Sequence, residues 1–500
     1  MRHFLDIFAE AIRENWDRPA LTDCALLSGG EGNEYTYGAL YREICFLSSL
    51  LSESGFHPGD HIAICGANSA NWLVVYLALA ASRCVSVSVL HTQMPDDIEA
   101  QISFADCKAL FIDPEIWDFL PHGKPDGVSR VFSLDDFSVL EGGTIPFPEI
   151  PALSPSDAAF CTGPLDDLAQ ICFTSGSTFE PKAVMLSFRN LSNNVVDAVE
   201  TFPDGRNLAV LSTLPLAHIY GLMDEVLGHL PNGHHVYFVR QLSLSSLLPL
   251  LREVNPYVVL TVPLLLEQLY MRKERAVLDS FGPGLRQIFV GGSKLKDEVQ
   301  DALIPLGLPL TVGFGSTETG PLISASRIES FVPHSCGRVV SGMEARVSES
   351  GEILVRGDNV MLGYYKNPEA TRRKIDADGW LHTGDRGRVE EDGTVYVYGR
   401  LEQDMIVLPS GENIVPQNIE ALLDGIDGVA ESLVLERGGR LVALVYPETV
   451  ADAGTLPDKD SLLRSVNVQL PSFSQLSDIE FVSSPFQRTG KSGIKRYLYS

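Results

Sequence analysis

The strongest constraint on the fold is an alternation of short β-branched runs with helical stretches, which continues to about residue 400. The run at 61–69 predicts a strand that ends in a turn, 71–82 predicts a buried helix, and 84–90 predicts the next strand. Similar apolar runs that end in turn residues lie at 108–113, 208–215, 257–263 and 286–292. Such alternation is typical of α/β folds with buried parallel sheets. In these folds, ligands bind at loops beyond the carboxyl ends of the strands.

The chain divides into two regions with different patterns. Its 500 residues exceed what one hydrophobic core supports, so more than one domain is expected. From about residue 335, the segments GEILVRG and GTVYVYG predict β-hairpins. After Arg400, short apolar runs, one helix near Pro416–Asp424 and a basic end follow. We therefore predict a large N-terminal domain of parallel and mixed sheets with helices and a β-rich subdomain, 1–400, and a small α+β domain, 401–500.

The charge balance excludes one class of function. The chain has 38 Lys and Arg against 65 Asp and Glu, which gives a net charge of −27. Such an acidic chain does not attract nucleic acid through its phosphates, so we expect no nucleic-acid partner. A polyphosphate ligand would need a local site made of a few cations and backbone N–H groups, because the overall field repels it.

The chain has no pattern of a membrane-spanning or disulfide-rich protein. The N-terminal 19 residues predict an amphipathic helix that stops at Pro19. The most apolar stretch, 72–82, is interrupted by Arg83 before it reaches the ~20 residues of a membrane helix. Peripheral contact with a membrane stays open. The eight cysteines form no CxxC pair, so we expect reduced thiols and a cytoplasmic location.

The most informative segment is FTSGSTFEPKAVMLS at 173–187. Such a loop can surround a polyphosphate with N–H and O–H donors, and Lys182 adds a cation. The loop groups are Thr174, Ser175, Gly176, Ser177 and Thr178. The alternative is a Ser/Thr-rich surface turn. The residues Gly490, Lys491 and Ser492 match the end of a Walker loop, whose form is GxxxxGK[ST]. A Walker loop is nevertheless disfavoured, because its first position, 485, is Pro rather than Gly.

The loop and five later motifs resemble the adenylate-forming (AMP-binding) superfamily, which includes acyl-CoA synthetases, luciferase-like enzymes and peptide-synthetase adenylation domains. The usual loop form is TSG[ST]TGxPKGV, and here Phe179 and Ala183 replace two glycines. The later motifs, in the family's order, are LPLAHIYGL (214–222), GFGSTETGP (313–321), NVMLGYYKNPEAT (359–371), GWLHTGDRG (379–387) and GRLEQDMIVLPSGENIVPQNIE (399–420). The resemblance covers nearly the whole chain, and the order of the motifs makes it specific.

The resemblance implies a site for ATP and Mg²⁺. Phe314 should lie on the adenine, Thr317 should bind the α-phosphate, and Glu318 should hold Mg²⁺. Asp385 should accept both ribose hydroxyls, and Arg400 should reach the ribose or a phosphate. The complete set implied for ATP or AMP is Thr174, Ser175, Gly176, Ser177, Thr178, Lys182, Gly292, Ser293, Phe314, Gly315, Ser316, Asp385 and Arg400.

The resemblance also implies an acid pocket and catalytic residues. The acyl pocket should contain Tyr220, Gly221, Val290 and Gly291, and the catalytic residues are Lys491, His218, Thr317 and Glu318. Three structural alternatives stay open: Asp385 as a turn cap, Glu318 as a helix N-terminal acid, and His218 as a structural residue.

The catalytic lysine of the family stands near the C-terminus in a pattern like RTxxGKIxR. An ungapped alignment on Ile494 and Arg496 places Gly493 at that position. Lys491 lies two residues earlier and Lys495 two residues later. We select Lys491, because it keeps the local form Thr-Gly-Lys.

The resemblance further implies that the small domain rotates between two half-reactions. The hinge should be Glu402, and rotation should bring the thiol channel, formed by Ser410, Gly411 and Glu412, to the acyl-adenylate. An ordinary hairpin turn is the alternative reading of Gly411.

The leading hypothesis is a fatty acid–CoA ligase that uses ATP, Mg²⁺ and coenzyme A. The pocket motif and the IVLPSGENIVPQNIE form look most like medium- and long-chain fatty acyl-CoA synthetases. Asp224 does not match the position that pairs the ammonium group in amino-acid-activating domains, so an amino-acid substrate is disfavoured. The second hypothesis is an enzyme that loads the phosphopantetheine of a separate carrier protein. The third, motivated by Phe179 and Gly493, is a non-catalytic homologue.

Overall fold

The computed structural model describes residues 1–174, 182–202, 205–240, 244–263, 265–266, 281–400, 406–408, 412–447, 458–486 and 499. These residues fall into two compact units. The first contains the described residues of Met1–Thr174 and Ala183–Gly399, and the second contains those of Ser175–Lys182 and Arg400–Ser500. Among the described residues, no helix is both long enough and apolar enough to cross a bilayer.

Two large sheets form the centre of the first unit. The eight-stranded sheet has, in spatial order, the strands Gly363–Tyr364, Lys182–Ser187, Leu168–Thr174, Val85–Val89, His61–Cys65, Ala109–Ile112, Arg130–Ser133 and Val139–Glu141. The seven-stranded sheet has Leu310–Val312, Gln287–Val290, Val258–Thr261, Ala209–Ser212, His235–Phe238, Pro19–Asp23 and Glu34–Thr36. The inner strands pair in parallel, which confirms the predicted α/β fold class.

Helices lie between these strands in the sequence. Within the described residues of the first unit, the α-helices are Phe4–Asn15, Tyr37–Glu53, Ala70–Ala81, Pro95–Phe104, Pro114–Trp117, Phe188–Thr201, Leu244–Val254, Asp297–Leu303 and Pro368–Lys374, with a π-helix at Gly221–Leu227. Short 3₁₀ turns cover Cys24–Ser28, Pro155–Asp157, Leu230–Asn232, Ile304–Leu306, Thr317–Thr319 and Ile328–Ser330. Helix Ala70–Ala81 begins at Ser69, whose hydroxyl accepts from the Trp72 N–H at 3.2 Å. Its residues from Ala70 to Ala80 are all buried, which explains the continuous apolar run in the sequence.

Smaller antiparallel sheets complete the first unit. One contains Phe314–Gly315, Leu322–Ala325 and Arg338–Val339, and the other contains Met343–Val347, Glu352–Gly357, Leu381–Val389 and Val395–Arg400. The predicted β-rich texture after residue 335 is therefore confirmed.

The second unit is an α+β structure. In its described part, the strands are Ile406–Val407, Asn413–Ile414, Val429–Arg437, Arg440–Pro447 and Leu476–Phe481, and the helices are Pro416–Asp424, Lys459–Asn467 and the 3₁₀ turn Ser472–Ser474. The helix near Pro416–Asp424 is confirmed, but the expectation of one helix was wrong. Asp458 caps the second helix by accepting from the Asp460 and Ser461 N–H groups, both at 3.1 Å.

Candidate active site

The predicted phosphate loop joins two neighbouring strands of the eight-stranded sheet. The strand Leu168–Thr174 ends at Thr174, and the strand beside it begins at Lys182. The loop residues Ser175, Gly176, Ser177 and Thr178 lie outside the described residues. Phosphate binding by the loop therefore stays a prediction. The structure places the two ends of the loop on adjacent strands.

Other predicted nucleotide residues follow the carboxyl ends of parallel strands. Gly292 and Ser293 come after the strand Gln287–Val290, and Phe314 comes after Leu310–Val312. These two strands pair in parallel, so the two segments leave the sheet at the same edge. Phe314 is half-buried against the main core, and Gly292 has a positive φ of 87°. The placement agrees with the expectation for ligand-binding loops in α/β folds.

The aromatic-Gly-x-Thr-Glu motif forms a tight turn. A Cβ on Gly315 would collide with the carbonyl oxygen of Pro321, so a larger residue does not fit there. The Ser316 N–H donates to Pro321 O at 3.0 Å and to Thr319 Oγ1 at 3.0 Å. These bonds close the turn around the two residues between Ser316 and Thr319, which are Thr317 and Glu318.

Glu318 is held by side-chain and backbone bonds. The Tyr364 hydroxyl donates to Glu318 Oε1 at 2.8 Å, and the Met361 N–H donates to Glu318 O at 2.9 Å. Burial alone would raise the pKa of the Glu318 carboxyl, but the charge of Lys374 and the bond from Tyr364 outweigh it and lower that pKa. The side chain is therefore an ionised oxygen donor, which fits a hard divalent cation such as Mg²⁺. It also lies in the first turn of a 3₁₀ helix, so the helix-acid alternative is compatible with its position.

Asp385 is almost fully buried, with 8 % of its surface exposed. Its N–H donates to Thr383 Oγ1 at 3.0 Å, and the Thr383 hydroxyl donates to Ile353 O at 2.7 Å. The Gly384 N–H donates to Glu352 Oε1 at 2.9 Å. Asp385 lies inside the nine-residue strand Leu381–Val389, so the turn-cap reading does not fit its position. Ribose binding by Asp385 stays a prediction.

Lys374 links these two motifs and was missed by the sequence analysis. Its ammonium group donates to Thr383 O at 3.2 Å, and its charge acts on Glu318. Lys374 is the last residue of a short helix whose final turn has three basic residues. Basic residues are common at helix C-termini, so this pattern did not indicate a functional site.

The predicted pocket residues Tyr220 and Gly291 are in contact. The Tyr220 hydroxyl donates to Thr261 O and Phe289 O, both at 3.3 Å. A Cβ on Gly291 would lie 2.8 Å from Cζ of the Tyr220 ring, so the glycine permits this approach. Burial raises the pKa of Tyr220 well above its usual range, which keeps the phenol protonated. The structure therefore brings together two predicted pocket residues that are 71 positions apart in the sequence.

The other acid-site residues differ in exposure. Gly221 is buried, and a Cβ there would lie 2.7 Å from Pro215 O. The Val290 side chain is buried in the second hydrophobic core of the unit. The His218 side chain is exposed, and the backbone N–H of His218 donates to Pro215 O at 3.0 Å. Their proposed roles toward an acid stay predictions.

Buried acids behind this segment were not predicted as functional. Glu225 is fully buried, and its carboxylate accepts from the Ser212 hydroxyl at 3.0 Å and from the N–H groups of Thr213 and Leu214 at 3.1 and 3.0 Å. Burial raises the pKa of Glu225 to about 8. Glu225 thus fixes the chain where the pocket motif begins at Leu214.

Asp224 is a fully buried acid next to Glu225 in the π-helix. Neither of its carboxyl oxygens has a hydrogen-bond partner within the part of the chain that the structure describes. Burial raises its pKa well above the usual range, and the nearby Asp197, whose own pKa is raised to about 7, acts in the same direction. Asp224 is therefore expected to be protonated at neutral pH.

Replacing Asp224 by asparagine is expected to reduce the loss of stability at alkaline pH. The pKa of Asp224 is higher in the folded chain than in the unfolded chain, where it is about 4. The stabilisation that protonated Asp224 provides is therefore complete below about pH 4, and it is lost as the pH rises toward the pKa of the folded state. The variant should unfold near the wild-type temperature at pH 4 and a few degrees above it at pH 9. Thermal unfolding at both values, with the exposed Asp126→Asn as control, measures this; equal pH dependence in wild type and Asp224→Asn would contradict it.

The predicted residues of the small unit are mostly outside the described part. Glu402, Ser410, Gly411 and Lys491 lie outside the described residues, as does the side chain of Arg400. Glu412 lies at the end of a two-stranded hairpin, and its carbonyl oxygen accepts from the Leu408 N–H at 2.9 Å. The hinge, the thiol channel and the catalytic lysine stay predictions.

The chain is similar to several characterised proteins along nearly its whole length. It is 28% identical over 496 residues to 4-coumarate–CoA ligase 3 of Arabidopsis thaliana, covering 93% of this chain and 86% of that protein. Amide bond synthetase McbA from Marinactinospora thermotolerans aligns with a TM-score of 0.80 at 25% identity and covers 98% of both chains. The fatty acyl CoA synthetase of Mycobacterium tuberculosis aligns with a TM-score of 0.67 at 19% identity, covering 99% of this chain and 97% of that one, which shows a shared fold.

A family model described as AMP-binding enzyme matches residues 8–365. This range contains the phosphate-loop segment, the pocket motif and the Thr-Glu motif from which the resemblance was drawn. Because the match covers more than half of the chain, the protein belongs to the AMP-binding enzyme family.

Proposed function

We propose that the protein is an ATP-dependent acid–thiol ligase that forms an acyl-adenylate and then an acyl-CoA. In the first half-reaction, a carboxylate oxygen of the acid attacks the α-phosphorus of ATP, and pyrophosphate leaves. In the second, the thiol of coenzyme A attacks the acyl carbonyl, and AMP leaves. Membership of the AMP-binding enzyme family supports the first half-reaction, and the name of the Arabidopsis relative, 4-coumarate–CoA ligase 3, supports coenzyme A as the acceptor in the second.

The observation that carries the proposal is the link between separate nucleotide motifs in the first unit. Tyr364 holds Glu318, Lys374 reaches the carbonyl of Thr383 in the strand of Asp385, and Tyr364 pairs in the sheet with Val184, which follows the phosphate loop. Motifs that are far apart in the sequence thus share one supporting segment. A set of this kind suits one extended ligand that carries a base, a ribose and phosphates.

The chain's own groups have distinct tasks in this scheme. Thr317 and the loop hydroxyls bind phosphate oxygens, Asp385 accepts from the ribose hydroxyls, and Lys491 places a cation where negative charge develops. Glu318 would hold Mg²⁺, which when bound neutralises charge on the phosphates. His218 lies in the pocket motif and is assigned to the substrate carboxylate.

The proposed acid is hydrophobic, with fatty acids as the first class to test. The Tyr220 ring lies 6.4 Å from the Phe289 ring, measured between centroids, and the nearby Ile219 and Leu222 side chains are buried. Coenzyme A is the proposed acceptor, and the phosphopantetheine of a carrier protein is the alternative. The enzyme should accept medium- or long-chain fatty acids, and arylpropenoic acids are the second class to compare.

Product analysis tests the proposal. With ATP, Mg²⁺, coenzyme A and each acid of the panel, we expect equal amounts of AMP, pyrophosphate and acyl-CoA, measured by phosphorus NMR and mass spectrometry. Adenylate formation without acyl-CoA, but with transfer to a phosphopantetheinylated carrier protein, would assign the alternative acceptor. Formation of ADP and phosphate, or no acid-dependent product, would contradict the proposed function.

A further inference from the structure

The motif at 359–371 has no role in the proposed reaction. It nevertheless lies between three other parts of the predicted nucleotide site, which are the strand after the phosphate loop, the Thr-Glu motif and the strand of Asp385. Its Leu362 N–H donates to Met185 O at 2.9 Å, and its Tyr365 N–H donates to Ala183 O at 2.8 Å. These bonds add the short strand Gly363–Tyr364 to the edge of the eight-stranded sheet, next to the strand that follows the phosphate loop. The segment is thus fixed to the sheet that carries the loop.

The same segment binds Glu318 at two points. The Met361 N–H bonds the Glu318 carbonyl, and the Tyr364 hydroxyl bonds the carboxylate at 2.8 Å. Tyr364 is only 5 % exposed, so its ring has little freedom to move. A carboxylate that is hydrogen-bonded at one oxygen by a fixed phenol has a restricted orientation.

The far end of the segment reaches the Asp385 strand. The Tyr364 N–H donates to Thr371 Oγ1 at 2.9 Å, and the Asn367 side chain caps the helix Pro368–Lys374 by accepting from the Ala370 N–H at 2.9 Å. That helix ends at Lys374, whose ammonium group bonds the carbonyl of Thr383. The segment therefore has one hydrogen-bonded path from Glu318 to Thr383 in the strand of Asp385.

We propose that Tyr364 is a positioning residue for Glu318, and that it orients the carboxylate for the metal–nucleotide complex through the bond between its hydroxyl and Oε1. The inference rests on the proposed function, since it takes Glu318 as the group that holds the divalent cation. Loss of the hydroxyl lets the carboxylate adopt other rotamers, and binding must then select the productive one, which weakens affinity.

The neighbouring tyrosine provides a matched control. The Tyr365 hydroxyl donates to Asp106 Oδ2 at the same distance, 2.8 Å, away from the Thr-Glu motif. The substitutions Tyr364→Phe and Tyr365→Phe each remove one hydroxyl that donates to a carboxylate from adjacent positions. Only the first of these carboxylates belongs to the predicted nucleotide site.

The test uses Mn²⁺ as a spectroscopic probe of the metal site in the full-length protein with ATP and without any acid. Electron paramagnetic resonance should show Mn²⁺ binding weakened about three- to tenfold by Tyr364→Phe and less than twofold by Tyr365→Phe. Thermal unfolding should show both variants folded. In a Glu318→Gln background, Tyr364→Phe should have little further effect, because both changes act on the same group.

Three outcomes would overturn the inference. These are unchanged Mn²⁺ affinity in Tyr364→Phe, equal weakening in Tyr365→Phe, and a full additional effect of Tyr364→Phe in the Glu318→Gln background. With ATP-dependent Mn²⁺ binding intact in the wild type, each of them removes only the role of Tyr364. If the wild type binds no Mn²⁺ in the presence of ATP, the inference and the proposed function both fail.

Discussion

Replacing Glu318 by glutamine is expected to slow acid-dependent pyrophosphate–ATP exchange by roughly 10²-fold or more. Glutamine has nearly the same shape, and its amide oxygen can still accept from Tyr364. The backbone bond from Met361 is unaffected, so the turn should persist. The substitution removes the negative charge of the Glu318 carboxylate, which Lys374 and Tyr364 keep ionised despite burial. The effect should therefore fall on Mg²⁺-dependent turnover rather than on folding.

A control carboxylate separates this effect from a general change in charge. Glu344 lies on the surface in an ion pair with Arg356 at 2.9 Å, and Glu344→Gln removes the same charge. We expect that control to stay within about twofold of wild type, as surface ion pairs contribute little. Exchange rates at several Mg²⁺ concentrations compare the two variants. Wild-type rates in Glu318→Gln would remove Glu318 from the proposed role.

Replacing Lys491 by alanine is expected to slow adenylate formation by roughly 10²-fold, whereas Lys495→Ala should change it less than about fivefold. The first lysine should meet the charge that develops on the carboxylate and the α-phosphate in the transition state. The second should belong to a solvated basic tail. Both residues are outside the described part of the chain, so this ranking comes from the sequence alone.

The pair of variants is its own control for long-range electrostatics. Each removes one positive charge within five residues of the other, so the overall field of this acidic chain changes almost equally. A difference between them must come from position. Rates of pyrophosphate exchange and of acyl-CoA formation, measured separately, give the ranking. The reverse order would show that Lys495, rather than Lys491, replaces the lysine absent at Gly493.

The sequence predicted the parallel sheets well, because their buried strands are short runs rich in β-branched residues that end in turns. The strand predicted at 84–90 is observed at Val85–Val89, and the helix predicted at 71–82 is observed at Ala70–Ala81. The helix Lys459–Asn467 was missed because its buried face consists of only Leu462 and Val466. Short amphipathic helices with few apolar residues give little periodic signal.

The nucleotide motifs were visible in the sequence, but the contacts that support them were not. Tyr364 and Glu318 are 46 residues apart, and no local pattern predicts that a hydroxyl from one motif bonds the carboxylate of another. The burial of Asp224 and Glu225 was hidden for a different reason. Acidic residues in a short apolar run look like surface positions, and only the packing around the π-helix shows that they are enclosed.

Acid-dependent exchange of labelled pyrophosphate into ATP tests the central claim most directly. If the protein forms an acyl-adenylate, the wild type with Mg²⁺ and a suitable hydrophobic acid should incorporate label into ATP in the absence of coenzyme A. Omission of the acid should abolish the exchange. No incorporation with any acid of the panel, from a folded protein that binds ATP, would contradict the assignment of an adenylate-forming ligase.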